Sequence, residues 1–341
     1  AVPASAERFL LVRTSAMGDI VHCLPFLTAL RARFPNAEIA WVVEKVWSPI
    51  LDGHPDIDRL IPVRAKAWRK KPWSAGNRSE IRTALGQIRD FGADVAFDLM
   101  GNHKGAVLAR ASGAARVVGP SARCRRERSS ARWMKETIDV EGVHAVDRAL
   151  ALLAAVDGNP SGVADFSGHK LLAREPAAAR AFLDQRDERP LVLIQAGAGW
   201  ANKIYPLPWW AEVARALDGA GYDVVLPTAP GEEHLATEIV ERSKGAARAV
   251  DATDFRFLAA LLRAARLLLG GDTGPVHLAH ALGTGVLSII GPTDPARNGP
   301  YDAPERVLFH PLPCSYCYKR YDGPRACLLS IPPQRVVEKA I

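Results

Sequence analysis

Apolar residues in this chain fall in short unbroken runs that alternate with segments in which they recur every three or four positions. Residues 9–12, 39–43, 61–63 and 95–99 are such runs and read as strands, while 20–34, 46–51, 78–91 and 104–111 carry helical spacing. Val117-Val118-Gly119 gives a further short strand and residues 143–156 a further helix. A stretch rich in Gly, Pro, Ser and Ala, residues 157–176, breaks the rhythm, which restarts at 191–194, 224–226, 267–269 and 286–290. Strands alternating with helices are parallel-sheet units. The pattern therefore predicts an α/β chain of two Rossmann-like parallel-sheet domains, at 1–165 and 189–341, joined by a linker at 166–188. The last helix is free to pack back on the first domain. The two halves repeat an architecture and not a sequence.

Length supports the division, because 341 residues exceed what one hydrophobic core usually organises. A composition of 48% hydrophobic and 24% charged residues is that of an ordered globular chain. The formal net charge of +7 favours acidic partners: nucleic acid, an anionic membrane surface or phosphorylated small molecules. No run approaches the roughly 18 apolar residues of a spanning helix, and residues 1–7 have no basic segment followed by an apolar one. Five cysteines, an odd and modest number, argue against a disulfide framework and for a reducing cytosol.

Candidate chemistry gathers where strands end. Leu10-Leu11-Val12-Arg13-Thr14-Ser15-Ala16-Met17-Gly18-Asp19-Ile20-Val21-His22 runs an apolar strand into a glycine turn that delivers a carboxylate to a helix start. Open α/β sheets bind and transform ligands at the carboxyl ends of their strands. Asp19 is thus a candidate general base for an acceptor hydroxyl, although an isolated Gly-Asp also serves as a helix cap. His22, one turn later, is expected in the core or behind a site residue. A second such turn, Gly270-Gly271-Asp272-Thr273-Gly274-Pro275-Val276-His277, has the composition of an anion site, with glycines for close approach, a hydroxyl, and Pro275 in the first helical turn. Asp272 itself would repel a diphosphate, so its task is to organise the loop or meet a hydroxyl. Two glycine-acid turns in separate halves predict a ligand cleft between two domains.

Asn202-Lys203 places a cation in the loop after the first strand of the second domain, where fixed positive charge would stabilise a diphosphate leaving group; a solvated loop lysine is the plainer reading. Glu232 and Glu233 open a helix, a position that favours acids, and one of them is a candidate for ribose hydroxyls. Trp68-Arg69-Lys70-Lys71-Pro72-Trp73 and Arg123-Cys124-Arg125-Arg126-Glu127-Arg128, with Lys104, offer a basic patch for phosphates or carboxylates of a large acidic acceptor. Basic residues beside tryptophan also suit nucleic acid. Cys314-Ser315-Tyr316-Cys317 with Cys327 supplies three of the four ligands of a closed zinc site, with His310 at an unfamiliar spacing, so buried structural thiols are expected rather than a metal. Cys23, inside a predicted helix, belongs to the core.

Together these motifs resemble the ADP-heptose:lipopolysaccharide heptosyltransferases, glycosyltransferase family 9, over nearly the whole chain. The likeness rests on Thr14-Ser15-Ala16-Met17-Gly18-Asp19-Ile20-Val21-His22, Trp41-Val42-Val43-Glu44, Trp68-Arg69-Lys70, Asp272-Thr273-Gly274 with His277, and Gly291-Pro292-Thr293-Asp294-Pro295, in that order. The first and third are more like heptosyltransferase I, the branch that adds the first heptose to Kdo, than like heptosyltransferase II. The resemblance implies a GT-B fold and inverting transfer from ADP-L-glycero-D-manno-heptose to Kdo of lipid A. It implies Asp19 as the base and Lys203 at the donor phosphates, with Asn202, Glu232, Asp272, Thr273, Gly274 and His277 binding the donor. Ser15, Gly18, Arg69, Lys70, Lys104, Arg126 and Arg148 would face the acceptor. The expected enzyme is a monomer at the cytoplasmic face of the inner membrane, with no cofactor, no metal and no nucleic-acid partner. Gly197-Ala198-Gly199-Trp200 departs from the more hydroxyl-rich loop of the type I enzymes. A family member using another nucleotide sugar or acceptor is the neighbouring alternative, and a basic nucleic-acid-binding protein the alternative of a different class. A dinucleotide-dependent oxidoreductase would need a Gly-x-Gly-x-x-Gly turn, which the stretch from Thr14 to Asp19 lacks.

Overall fold

The structure, a computed structural model, describes residues 8–71, 74–156 and 164–341. The amino-terminal segment, Pro72-Trp73 of the first basic cluster, and the first part of the Gly/Pro/Ser/Ala-rich stretch lie outside the described residues. The chain divides into two compact units between Leu171 and Leu172.

In the first unit, β1 (Arg8–Val12), β2 (Glu38–Glu44), β3 (Arg59–Val63), β4 (Val95–Asp98), β5 (Arg116–Pro120) and β6 (Glu136–Ile138) form one sheet in the order β3-β2-β1-β4-β5-β6. Every pair is parallel, with Leu10 opposite Ala40 on one side and Ala96 on the other. A parallel sheet covered on both faces wants apolar side chains at every position, and Phe9, Leu10, Leu11 and Val12 are all fully buried. Alternate residues serve opposite faces. Leu10 and Val12 pack with Ala84, Ile88 and Leu108 from the helices Ala75–Asp90 and His103–Ala111. On the other face Phe9 meets Phe97 at 6.4 Å between ring centroids, and Phe26 of the helix Leu24–Arg33 meets Phe97 at 5.0 Å.

The helix expected over residues 20–34 is two helices, Met17–Val21 and Leu24–Arg33. Pro25 has no N–H to continue the first helix and suits the opening turn of the second. The helix expected over 143–156 likewise shortens to Ala145–Leu150 followed by a tighter 3₁₀ segment, Ala151–Ala155.

The second unit repeats the plan with β7 (Leu191–Gln195), β8 (Asp223–Thr228), β9 (Arg248–Asp251), β10 (Leu267–Gly271), β11 (Gly285–Ile290) and β12 (Val307–Phe309), in the order β12-β11-β10-β7-β8-β9 and again parallel throughout. Val192, Ile194, Leu269 and Ile289 share a core with Trp210, Val213 and Leu217 of the helix Leu207–Gly219. The final helix, Pro333–Ala340, buries Val336 in this second core. Within the expected linker, Lys170 pairs with Asp56 of the first unit at 2.8 Å. The helix Ala177–Asp184 packs on Phe255–Ala264 of the second, with Phe182 and Phe257 5.9 Å apart. No helix among the described residues is long and apolar enough to cross a membrane.

Candidate active site

Asp19 reaches its position because β1, third in its sheet and buried to its last residue, hands the chain to a short helix whose first turn carries the acid. Asp19 is the third residue of Met17–Val21, not its cap; Ala16 holds that place, and the Ala16 N–H donates to Asp19 Oδ2 at 3.2 Å. An acid in a first helical turn is favoured by the free N–H groups there. Arg13 Nη2 pairs with Asp19 Oδ1 at 2.6 Å, and the other end of the Arg13 guanidinium donates to the Leu99 carbonyl. Arg13 is thus fixed between the ends of β1 and β4. Each Asp19 oxygen has one such partner, while a carboxylate can accept about four hydrogen bonds. With 43% of its side chain exposed, Asp19 keeps accepting capacity for a proton from outside.

Ser15 lies just before that helix and meets Lys104 of the helix His103–Ala111. The Ser15 hydroxyl accepts from Lys104 Nζ at 3.2 Å. Burial depresses the Lys104 ammonium below its ordinary value; Glu44 pulls the other way, and Arg13 and Arg69 add to the depression. Gly18 is buried within its helix. Arg69 and Lys70 are exposed at the end of the helix Ala65–Lys70, and Lys70 lines an open groove of about 520 Å³ with Glu44, Lys45 and Arg64. Arg126 is exposed, whereas its neighbour Arg125 is wholly buried against Asp98 and also donates to Ser130 and the Pro120 carbonyl. Asp98 in turn accepts from the N–H groups of Met100 and Gly101 at 3.0 and 3.3 Å, which ties the loops after β4 and β5 together. Arg148 is half-buried and donates to the Cys124 carbonyl at 2.6 Å. His22 is buried with its ring edge-on to His144, the core position expected of it.

In the second unit the loops after β7, β10 and β11 converge on Asp272. Its Oδ2 accepts from Lys203 Nζ at 2.6 Å, Thr293 Oγ1 at 2.8 Å and Asn298 Nδ2 at 3.0 Å, and its Oδ1 lies 3.4 Å from His277 Nε2. Burial opposes this carboxylate's charge, yet His277 and Lys203 together hold it far below the usual carboxylate range. Asp272 thus joins the three loops, one of the two tasks expected of it. Lys203, expected as a loop cation facing phosphate, has only 13% of its side chain exposed and directs its ammonium at Asp272 while lying 4.4 Å from the centroid of the Trp200 ring. Asn202 is buried and donates to the Lys319 carbonyl at 2.9 Å. Thr273 precedes the helix Gly274–Ala281, and its buried hydroxyl has no hydrogen-bond partner among the described residues. Glu232 accepts from Gln195 Nε2 at 3.3 Å; burial raises its carboxyl, against that bond. Gly197 makes room for it, since a Cβ there would lie 2.1 Å from Glu232 Cδ.

The expected buried thiols are corrected by the structure: Cys314 is exposed and Cys317 half-buried, because the segment carrying them is an irregular surface strap, and Cys327, in the short helix Ala326–Leu329, is half-buried as well. Among the described residues no group of three His, Cys, Asp or Glu side chains is placed to hold a metal ion. Cys23 is buried as expected. Sequence reasoning passed over Arg13, Thr293 and Asn298. Arg13 and Thr293 lie inside motifs it had singled out, but nothing in the sequence says that either meets an aspartate; Asn298 carries no signal.

Two six-stranded parallel sheets, with charged and hydroxyl side chains at the carboxyl ends of β1, β7, β10 and β11, have the α/β architecture of the GT-B class. Within that class the chain belongs to glycosyltransferase family 9 (heptosyltransferase), whose family pattern matches residues 82–324. It is 32% identical to lipopolysaccharide heptosyltransferase 1 of Pseudomonas aeruginosa over 92% of this chain and 86% of that one. To lipopolysaccharide heptosyltransferase 1 of Escherichia coli K12 it is 28% identical over 97% and 98%. Among solved structures, E. coli heptosyltransferase WaaC with ADP-2-deoxy-2-fluoro heptose matches with a TM-score of 0.77 and 25% identity, covering 97% of this chain and 98% of that one. E. coli ADP-heptose lps heptosyltransferase II shares the fold, with a TM-score of 0.76 and 21% identity over 98% and 97%.

Proposed function

We propose that this chain transfers heptose from ADP-L-glycero-D-manno-heptose to Kdo of lipid A, with inversion at the anomeric carbon, at the cytoplasmic face of the inner membrane. The observation that carries the reading is Asp19: a half-exposed carboxylate at the end of β1, oriented by Arg13 and the Ala16 N–H, with accepting capacity left over. Its carboxylate takes the proton of a Kdo hydroxyl as that oxygen bonds to the anomeric carbon, and the anomeric C–O bond to ADP breaks with its electron pair leaving on the diphosphate. Ser15, Gly18, Lys104, Arg69, Lys70, Arg126 and Arg148 receive the acidic acceptor. Glu232 accepts from ribose hydroxyls, while the Thr273 hydroxyl, the N–H groups at Gly274, and Lys203 with Asn202 beside it line the diphosphate's place. Asp272 and His277 hold that arrangement. The relatives named lipopolysaccharide heptosyltransferase 1 and the WaaC structure with an ADP-heptose analogue support the donor and the branch.

A panel of nucleotide sugars offered with Kdo-lipid A tests the reading. ADP-heptose should be the donor that is turned over, giving one heptose per acceptor. Transfer from a different nucleotide sugar, with ADP-heptose inert, would overturn the assignment of substrate.

A further inference from the structure

The donor loops hold less free positive charge than their sequence suggests. Lys203 is paired with Asp272 at 2.6 Å and is largely buried, so the pair is neutral as a unit. A diphosphate brings more than one negative charge, and placing it beside a neutral pair leaves it without a counter-charge.

Arg320 is one cation available to it. Its side chain is exposed, its guanidinium carbon lies 4.7 Å from the centroid of the Trp200 ring, and no carboxylate pairs with it among the described residues. The same indole carries the Lys203 ammonium at 4.4 Å. Two cations on one ring repel each other, and an anion beside them relieves the repulsion. Arg320 is also held in place by its neighbours. The Tyr318 N–H donates to the Pro292 carbonyl at 3.1 Å, the Asp294 N–H donates to Tyr318 Oη at 3.3 Å, and Asn202 Nδ2 donates to the Lys319 carbonyl at 2.9 Å. These bonds tie the strap leading to Arg320 to the loops after β7 and β11, which also supply Lys203 and Thr293 to Asp272.

We propose that Arg320 is a donor-binding residue: lying over Trp200, its guanidinium receives the diphosphate of the nucleotide sugar and supplies the free positive charge that Lys203, paired with Asp272, brings only in part. A guanidinium carries five N–H donors in a planar fork that matches two phosphate oxygens, and an aromatic ring beside it leaves that fork free to donate. The inference rests on the reading that a nucleoside diphosphate binds at these loops.

Calorimetric titration of the full chain with ADP and with adenosine tests it, in wild type, Arg320→Ala and Arg320→Lys. Because Arg320 is exposed, both variants should keep the wild-type melting profile. Arg320→Ala should weaken ADP binding about tenfold or more, as loss of a charge-assisted contact does. Adenosine binding should be unchanged, and Arg320→Lys should recover part of the loss. ADP affinity of Arg320→Ala equal to wild type would overturn the proposal, as would an equal loss for ADP and adenosine. Wild type that binds ADP no better than adenosine would instead overturn the placement of the diphosphate at these loops, and this inference with it.

Discussion

At the scale of single residues, the partners that hold each acid decide what it can do. Asp19 is aimed by Arg13, whose guanidinium is itself fixed by the Leu99 carbonyl. Arg13→Ala should therefore lower kcat about 10- to 100-fold, as loss of alignment at a reacting group does, while ADP affinity stays at the wild-type value. An unchanged kcat would show that the carboxylate needs no such support. Gly197→Ala tests the opposite end of the reaction. The new Cβ would fall within about 2.1 Å of Glu232, so the carboxylate must move, and binding of both ADP and adenosine should weaken with little change in thermal midpoint. Retained adenosine binding would remove Glu232 from the nucleoside's reach. Asp19 and Asp272 were legible in the sequence because each follows an apolar run and a glycine, a pattern with a structural meaning of its own. Arg13 was not, because an arginine after a strand becomes informative only when its partner is known, and its second partner lies on a loop 86 residues away.

Among elements, the buried Asp272 cluster joins the loops after β7, β10 and β11 through Lys203, Asp272 itself, and Thr293 with Asn298. Removing one member of a buried pair strands the other's charge. Asp272→Asn should cost about 3 kcal/mol by urea denaturation, and the double variant Asp272→Asn with Lys203→Met should cost less than Asp272→Asn alone; a simple sum of the two single effects would contradict the coupling. Because the folded carboxyl is depressed, its stabilisation is complete above the ordinary carboxylate range and is lost as pH falls below that range toward the folded value. The inner strands of both sheets could be read directly, since burial on two faces demands unbroken apolar runs. The missed strands, β6, β9 and β12, are all sheet edges. Arg248–Asp251 shows why: a short, largely exposed edge has no reason to be apolar. The break between Met17–Val21 and Leu24–Arg33 was signalled by Pro25, a cue weaker in the sequence than the apolar spacing that runs through it.

For the whole molecule, two units with separate cores place the proposed acceptor residues in one and the donor residues in the other. Stability of the first should respond to pH through His54, which burial pushes down to about 4. Its Nδ1 accepts from the Asp56 N–H at 3.2 Å, and its Nε2 is buried without a partner among the described residues. In the unfolded chain His54 takes up a proton near pH 6.5, in the folded chain only near 4. The unfolded state therefore binds more protons between those values, and stability falls as pH drops through that window, by at most about 3 kcal/mol. His54→Gln should flatten that part of the urea-denaturation pH profile; an unaltered slope would show that another group sets it. The division into two units was legible from the restart of the strand rhythm. The division between Leu171 and Leu172 falls within the linker expected at 166–188, while the pairing of Lys170 and Ser167 with Asp56 and Thr28, which holds residues 164–171 to the first unit, is announced by no local pattern. Single-turnover transfer from ADP-heptose to Kdo-lipid A by Asp19→Asn is the most direct test of Asp19 as the base. The rate should fall by about 10² to 10⁴ with ADP-heptose affinity retained, whereas transfer at the wild-type rate would contradict Asp19 in that role.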